Sequence, residues 1–166
     1  MIDVFICEDQ KEQREKIARY VSNYIMIENL DMQLVLTTAN PEEILGYINE
    51  SNRSGLYFLD IDLKHQMNGI TLGAEIRKID PIGDIVFITT HTELTFLNFI
   101  YKVAAMDYII KDDVDSLQSK IVSCLNVTNE RKQVTNKTPN KKFVQRIPDK
   151  IIIVNYDDIM FFESSP

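Results

Sequence analysis

Five short apolar runs, each followed by an amphipathic stretch, constrain this chain more than any other feature. The runs are IDVFIC (2–7), MQLVLTT (32–38), GLYFLDI (55–61), DIVFITT (84–90) and AMDYIIK (105–111). They are short and apolar throughout, as strands covered on both faces must be. The intervening stretches read as helices from about Lys11 to Ile25, over 40–50, over 69–80, from about Thr92 to Tyr101, and over 114–132. In the first, Ile17, Tyr20, Val21, Tyr24 and Ile25 recur at three- and four-residue intervals and form one buried stripe. The second opens on Asn40 as a cap with Pro41 at the first helical position, and Pro81 stops the third. Strands and helices in strict alternation predict an α/β domain: a parallel sheet, right-handed crossovers, and helices on both faces.

The rest of the chain has a different texture. NVTNERKQVTNKTPNKK (126–142) is polar and carries Pro139, and reads as the end of a helix running into a linker. Residues 143–166 become apolar again around the turn signals PDK and NYDD, as short antiparallel strands do. About 24 residues cannot build a core of their own. This segment is therefore expected to open a second domain that the chain, which stops at Pro166, does not complete.

Composition removes several function classes. With 45% apolar and 26% charged residues, the chain is of ordinary globular type. No apolar run reaches the roughly 18 residues of a membrane span, and the N-terminus MIDVFICEDQ lacks the pattern of a secretory signal. Cys7 and Cys124 sit inside apolar patterns without metal-ligand spacing, and read as reduced core thiols of a cytoplasmic protein. A net charge of −7 argues against strong nucleic-acid binding by this chain alone and fits recruitment of a cation.

Why, then, does the apolar run LYFLDIDL (56–63) finish in two carboxylates, Asp60 and Asp62? Burying an unpaired carboxylate costs several kcal/mol, so such a strand either surfaces or delivers charge to a site. In an open parallel sheet, ligands bind outside the carboxyl ends of the strands. Glu8 and Asp9 follow the first strand, Asp60 and Asp62 end the third, Thr89 and Thr90 the fourth, and Lys111 the fifth. Taken singly, each has a bland reading as a cap, a solvated charge or a fading strand. Together they bring carboxylates, a hydroxyl and an ammonium to one rim. Clustered carboxylates repel unless a cation intervenes, and Mg2+ suits a few hard oxygens plus water. A carboxylate beside such an ion can accept a phosphoryl group, with Lys111 and Thr89 placed to pair with its oxygens. The ingredients converge on a phospho-accepting aspartate. His65 and His91 read as surface residues, and Asp112 and Asp113 as caps of the last helix.

This set resembles a response-regulator receiver domain over about residues 1–125. The resemblance implies a flavodoxin-like (βα)5 fold with parallel sheet order 2-1-3-4-5. It makes Asp60 the phosphorylation site, Asp9 a direct metal ligand, Glu8 a ligand through water, and Asp62 a donor of its backbone carbonyl. It makes Thr89 the switch hydroxyl, Lys111 the phosphate-pairing lysine and Tyr108 the aromatic switch. FICED, NYIMIE, YFLDIDL, NGITLGAEIRK, VAAMDYIIKDD and YDDIMFFESS further resemble the regulators of Gram-positive peptide quorum sensing, the accessory gene regulator (AgrA-like) group. That likeness implies a sensor histidine kinase as phosphodonor and a phosphorylation-dependent homodimer. It also implies a mostly β-stranded LytTR DNA-binding domain, whose opening strands IMFFES resembles. Receivers usually carry Pro after the lysine, where this chain has Asp112. The family's base-reading residues lie beyond position 166, so sequence-specific DNA binding is not expected of this chain.

Two rival functions remain. A truncated regulator would act purely by interaction, titrating the kinase or a full-length copy. A phosphatase of the haloacid-dehalogenase type also uses a DxD, a Ser/Thr, a Lys and paired acids. However, its acid pair follows a separate later strand, whereas here Glu8-Asp9 precede the DxD and Asp112-Asp113 abut Lys111. The chain is therefore expected to be a phospho-acceptor with at most phosphotransfer or autodephosphorylation chemistry, rather than an enzyme in the turnover sense.

Overall fold

A computed structural model of the chain describes residues 1–51, 53–90, 103–111, 114–137, 142–147 and 150–155. The expected helix at 92–101, His91, the Asp112–Asp113 pair and everything after Asn155 lie outside the described residues. The chain divides into two compact units, Met1–Asn129 and Glu130–Pro166.

The first unit is built on β1 (Ile2–Cys7), β2 (Met32–Thr38), β3 (Gly55–Leu59), β4 (Asp84–Thr89) and β5 (Asp107–Ile110). These form one sheet in the order β2-β1-β3-β4-β5, every pairing parallel. The helices are α1 (Lys11–Ile27), α2 (Pro41–Ser51), α3 (Gly69–Ile79) and α4 (Val114–Lys137). Alternation along the strands divides the core into two layers. Val4, Ile6, Leu56, Phe58, Val86, Ile88 and Ile109 pack with Ile17 and Val21 of α1 and Leu117, Ile121 and Leu125 of α4. Phe5, Cys7, Tyr57, Leu59, Ile85 and Phe87 pack with Ile44 and Ile48 of α2 and Leu72 and Ile76 of α3. Along β3 and β4 no charged side chain follows the opening residue until the strand has ended, whereas β1 carries Asp3 near its start.

Asn40 caps α2 as expected, and Asn68 does the same for α3. Asn40 Oδ1 accepts the Glu42 amide at 3.0 Å, and Asn68 Oδ1 accepts that of Thr71 at 2.8 Å. Past the end of α1, Asn29 turns the chain with φ 49°, a left-handed conformation that asparagine tolerates. At the start of α3, a Cβ on Gly69 would lie 1.8 Å from the Asp60 carbonyl oxygen, so only glycine permits that approach. Arg77, in the last turn of α3, donates to the carbonyls of Val103 (3.0 Å), Pro81 (2.8 Å) and Gly83 (2.8 Å), joining helix, turn and the approach to β5.

Bounds shift in several elements: the fifth strand, expected over 105–111, is confined to Asp107–Ile110. The third strand stops at Leu59 rather than Ile61, because the chain turns at Asp60 to bring the Gly69 amide back onto the Ile61 carbonyl at 3.1 Å. Helix α4 runs to Lys137, so most of the polar stretch read as linker is helical. That stretch contains no Gly or Pro before Pro139, and the residue preceding a proline disfavours helix. In the second unit, β6 (Lys142–Ile147) and β7 (Lys150–Asn155) pair antiparallel, with Ile147 opposite Lys150. This is the hairpin expected around PDK. Among the described residues, no helix is long and apolar enough to cross a membrane.

Candidate functional site

Strand register carries the acidic residues to one place. Cys7 sits opposite Leu59, and the Asp60 amide donates to the Cys7 carbonyl at 2.8 Å, so Glu8 and Asp60 leave adjacent strands side by side. On the other flank, Thr89 pairs with Ile110 and its carbonyl accepts the Lys111 amide at 2.9 Å. Lys111 thereby reaches back over the strand ends.

Its ammonium donates to Glu8 Oε2 at 2.6 Å and to Asp60 Oδ2 at 2.8 Å. All three side chains are buried, at 4% exposure or less. The remaining oxygens of the two carboxylates are held by the backbone. Glu8 Oε1 accepts the Gln10 amide at 3.1 Å, and Asp60 Oδ1 accepts the Asp62 amide at 3.3 Å. Asp9 differs: Oδ1 is buried without a hydrogen-bond partner, while Oδ2 lies 3.8 Å from the ammonium of Lys64. Oxygens of Glu8, Asp9 and Asp60 all fall within 4.8 Å of one another. Three carboxylates this close, one with an unpartnered buried oxygen, are a donor set suited to a hard divalent cation that retains some of its water.

Neighbouring groups register the pocket's negative field. Burial, reinforced by the Asp60 charge and opposed by the Lys111 hydrogen bond, pushes the Glu8 carboxyl up to about 7. The Cys7 thiol is pushed up to about 12, by burial first and then by Glu8 and Asp60, so it stays protonated and inert. Tyr108, half-buried against the α2/α3 layer, is also raised, by burial and then by Asp60.

The residues singled out from sequence thus fall as follows. Glu8, Asp9, Asp60 and Lys111 meet in one pocket, and Thr89 is fully buried at the neighbouring strand end. Tyr108 lies on β5, opposite Phe87 of β4. The Asp62 side chain is exposed and stands outside the carboxylate cluster, though its amide touches Asp60. Two contributors escape a search confined to strand ends. Arg14, one turn into α1, donates to the Glu8 carbonyl at 2.6 Å and the Asp9 carbonyl at 3.3 Å, fixing the loop that presents both acids. The other is Lys64, in the loop past the end of β3, where Ile61 and Leu63 are buried and Asp62 and Lys64 are exposed.

A doubly wound sheet with an acidic pocket at its carboxyl edge, closed by a lysine from the last strand, defines a class of signalling receiver. The chain belongs to the response-regulator family: residues 4–122 match the response regulator receiver domain. It is 48% identical over 163 residues to accessory gene regulator protein A of Staphylococcus aureus strain N315, covering 98% of this chain and 68% of that protein. The same identity and coverage hold for accessory gene regulator protein A of Staphylococcus epidermidis. Among solved structures, the response regulatory domain of protein mrkE from Klebsiella pneumoniae superposes with a TM-score of 0.65. It is 22% identical, and the match covers 78% of this chain and 99% of that one. At that identity the likeness is one of fold.

Proposed function

We propose that this chain is a phosphorylation-switched regulator of peptide quorum sensing in which Asp60 takes a phosphoryl group from the phosphohistidine of a sensor kinase. The observation that carries this is the Lys111 ammonium hydrogen-bonded at once to Glu8 and Asp60 at the floor of a three-carboxylate pocket. In the transfer, an Asp60 oxygen bonds to phosphorus as the P–N bond of the donor breaks. The electron pair leaves with the imidazole nitrogen.

Glu8, Asp9 and Asp60, with the Asp62 carbonyl, would hold Mg2+, which when bound offsets the charge of acceptor and donor. The protein's own residues do the rest. Lys111 is already on Asp60 and neutralises a phosphoryl oxygen without having to be brought in. The backbone amide of Asp62 and the Arg14-pinned loop keep the acceptor and its neighbours from drifting. Thr89, at the adjacent strand end, supplies a hydroxyl to the new oxygens. Tyr108, half-buried now, moves inward in response. The two arrangements pre-exist, and phosphorylation shifts their balance toward a homodimer. By this reading residues 1–125 form the receiver, the polar stretch 126–142 joins it to the next part, and 143–166, with the β6–β7 hairpin, open a LytTR-type DNA-binding domain.

The test is incubation with acetyl phosphate and Mg2+ followed by intact-mass analysis of the native chain and of Asp60→Ala. One phosphoryl group on the native chain and none on the variant is the expected result. Equal labelling of both would refute the assignment.

A further inference from the structure

The pocket's lysine inventory contains a second member that the proposed chemistry leaves idle. Lys111 is shared between Glu8 and Asp60, whereas Asp9 faces a different ammonium, that of Lys64 at 3.8 Å. The two lysines differ in kind. The Lys111 side chain is 4% exposed and the Lys64 side chain 79% exposed, so one is built in and the other is free to leave.

What keeps Lys64 over Asp9 is the loop that carries it. Ile61 and Leu63 are buried as anchors on either side of Asp62, and the His65 amide closes a tight turn onto the Leu63 carbonyl at 2.7 Å. One residue on, the His65 ring lies 3.6 Å from Glu42 at the start of α2. An ammonium tethered this way has a high effective concentration at Asp9 without being locked there. A cation taken up by the Asp9 carboxylate would meet the repulsion of an ammonium already beside its other oxygen.

We propose that Lys64 is a tethered counter-ion that competes with the divalent cation for Asp9 and so sets the pocket's cation affinity. This rests on the cation site proposed above. Metal-free, each of the three clustered carboxylates faces an ammonium; with the ion bound, Lys64 swings into solvent while Lys111 stays. The competition is electrostatic and exposed, so added salt weakens it.

Mn2+ binding to the whole chain, followed by isothermal titration calorimetry and by the loss of the free-ion EPR signal, tests this without recourse to activity. Four proteins are compared at low and high ionic strength: native, Lys64→Gln, Lys78→Gln and Asp9→Asn. Lys78 pairs with Glu75 on the exposed surface of α3 and controls for net charge alone. The expected result is a Kd about two- to fivefold lower for Lys64→Gln than for the native chain, in line with an exposed pair. That gap should shrink in high salt, and Lys78→Gln should match native. If Lys64→Gln binds no tighter than native, or no tighter than Lys78→Gln, the competitor role is wrong while the cation site stands. Native binding that Asp9→Asn leaves unchanged, or no binding by any of the four, overturns the cation site and the competitor role with it.

Discussion

The sheet buries acid at both of its ends, and the two ends treat it differently. At the amino edge, Asp80 accepts the Gly55 amide and the Tyr57 hydroxyl, both at 2.9 Å. Nearby, Asp3 is 1% exposed, and among the described residues its carboxylate faces the half-exposed Arg53 at 3.6 Å. At the carboxyl edge, three carboxylates crowd together and two of them share one buried ammonium. Burial of an acid therefore does not mark a site by itself. Asp80 meets fixed neutral donors, which tie the turn after α3 to β3 and stabilise the fold. Glu8, Asp9 and Asp60 meet one another, an arrangement the fold would be calmer without, and groups held against electrostatic preference are where function is found.

That contrast can be broken most directly by exchanging the consequences of mutation. Asp60→Asn should abolish phosphoryl uptake, read by intact mass, while leaving the urea midpoint equal to or above that of the native chain, since one of the repelling carboxylates is gone. Asp80→Ala should do the reverse. It strands the Tyr57 hydroxyl and the Gly55 amide and should cost roughly 3 kcal/mol in urea unfolding, with uptake by the folded fraction intact. A stability loss for Asp60→Asn as large as for Asp80→Ala would erase the distinction.

A smaller effect is expected from Glu8. Its carboxyl is raised to about 7 in the fold from an ordinary 4.5, so the folded state holds the proton more tightly than the unfolded chain. The associated stability is complete below the ordinary value and is lost as pH climbs through about 7. In metal-free buffer the unfolding free energy should therefore fall from pH 5 to 8, and Glu8→Gln should flatten the fall by roughly 1–2 kcal/mol. Parallel pH profiles for native and variant would contradict this. The least effect belongs to Arg53→Gln at the opposite edge. Its side chain is 57% exposed, and the loss should stay near or below about 1 kcal/mol and diminish in salt, measured by thermal melts.

Much of this was legible in the chain before any coordinates. The five apolar runs predicted the strands, and the residues following them predicted that Glu8, Asp9, Asp60 and Lys111 would meet. The rule relating ligands to strand ends needs only order along the chain. What could not be read depends on geometry between distant residues. Nothing in the sequence says that Asp80 will serve Tyr57, 23 residues earlier, rather than a cation. Nor does it say that Lys111 will lie 2.6 Å from Glu8, the distance that ties acid and base into one unit. Helix α4 continues past the expected end at 132 to Lys137, through residues that include no Gly or Pro to stop it. The carbonyl role expected of Asp62 leaves its side chain unassigned, and in the fold that side chain faces solvent.

The glycine that opens α3 has a mechanical corollary. The volume a methyl would occupy at position 69 is already filled by the main chain of residue 60, 1.8 Å away. The main chain of Asp60 and the first turn of α3 thus lie closer together than any residue but glycine allows. Any side chain at position 69 would force the two apart, so the placement of residue 60 depends on a glycine nine residues further on.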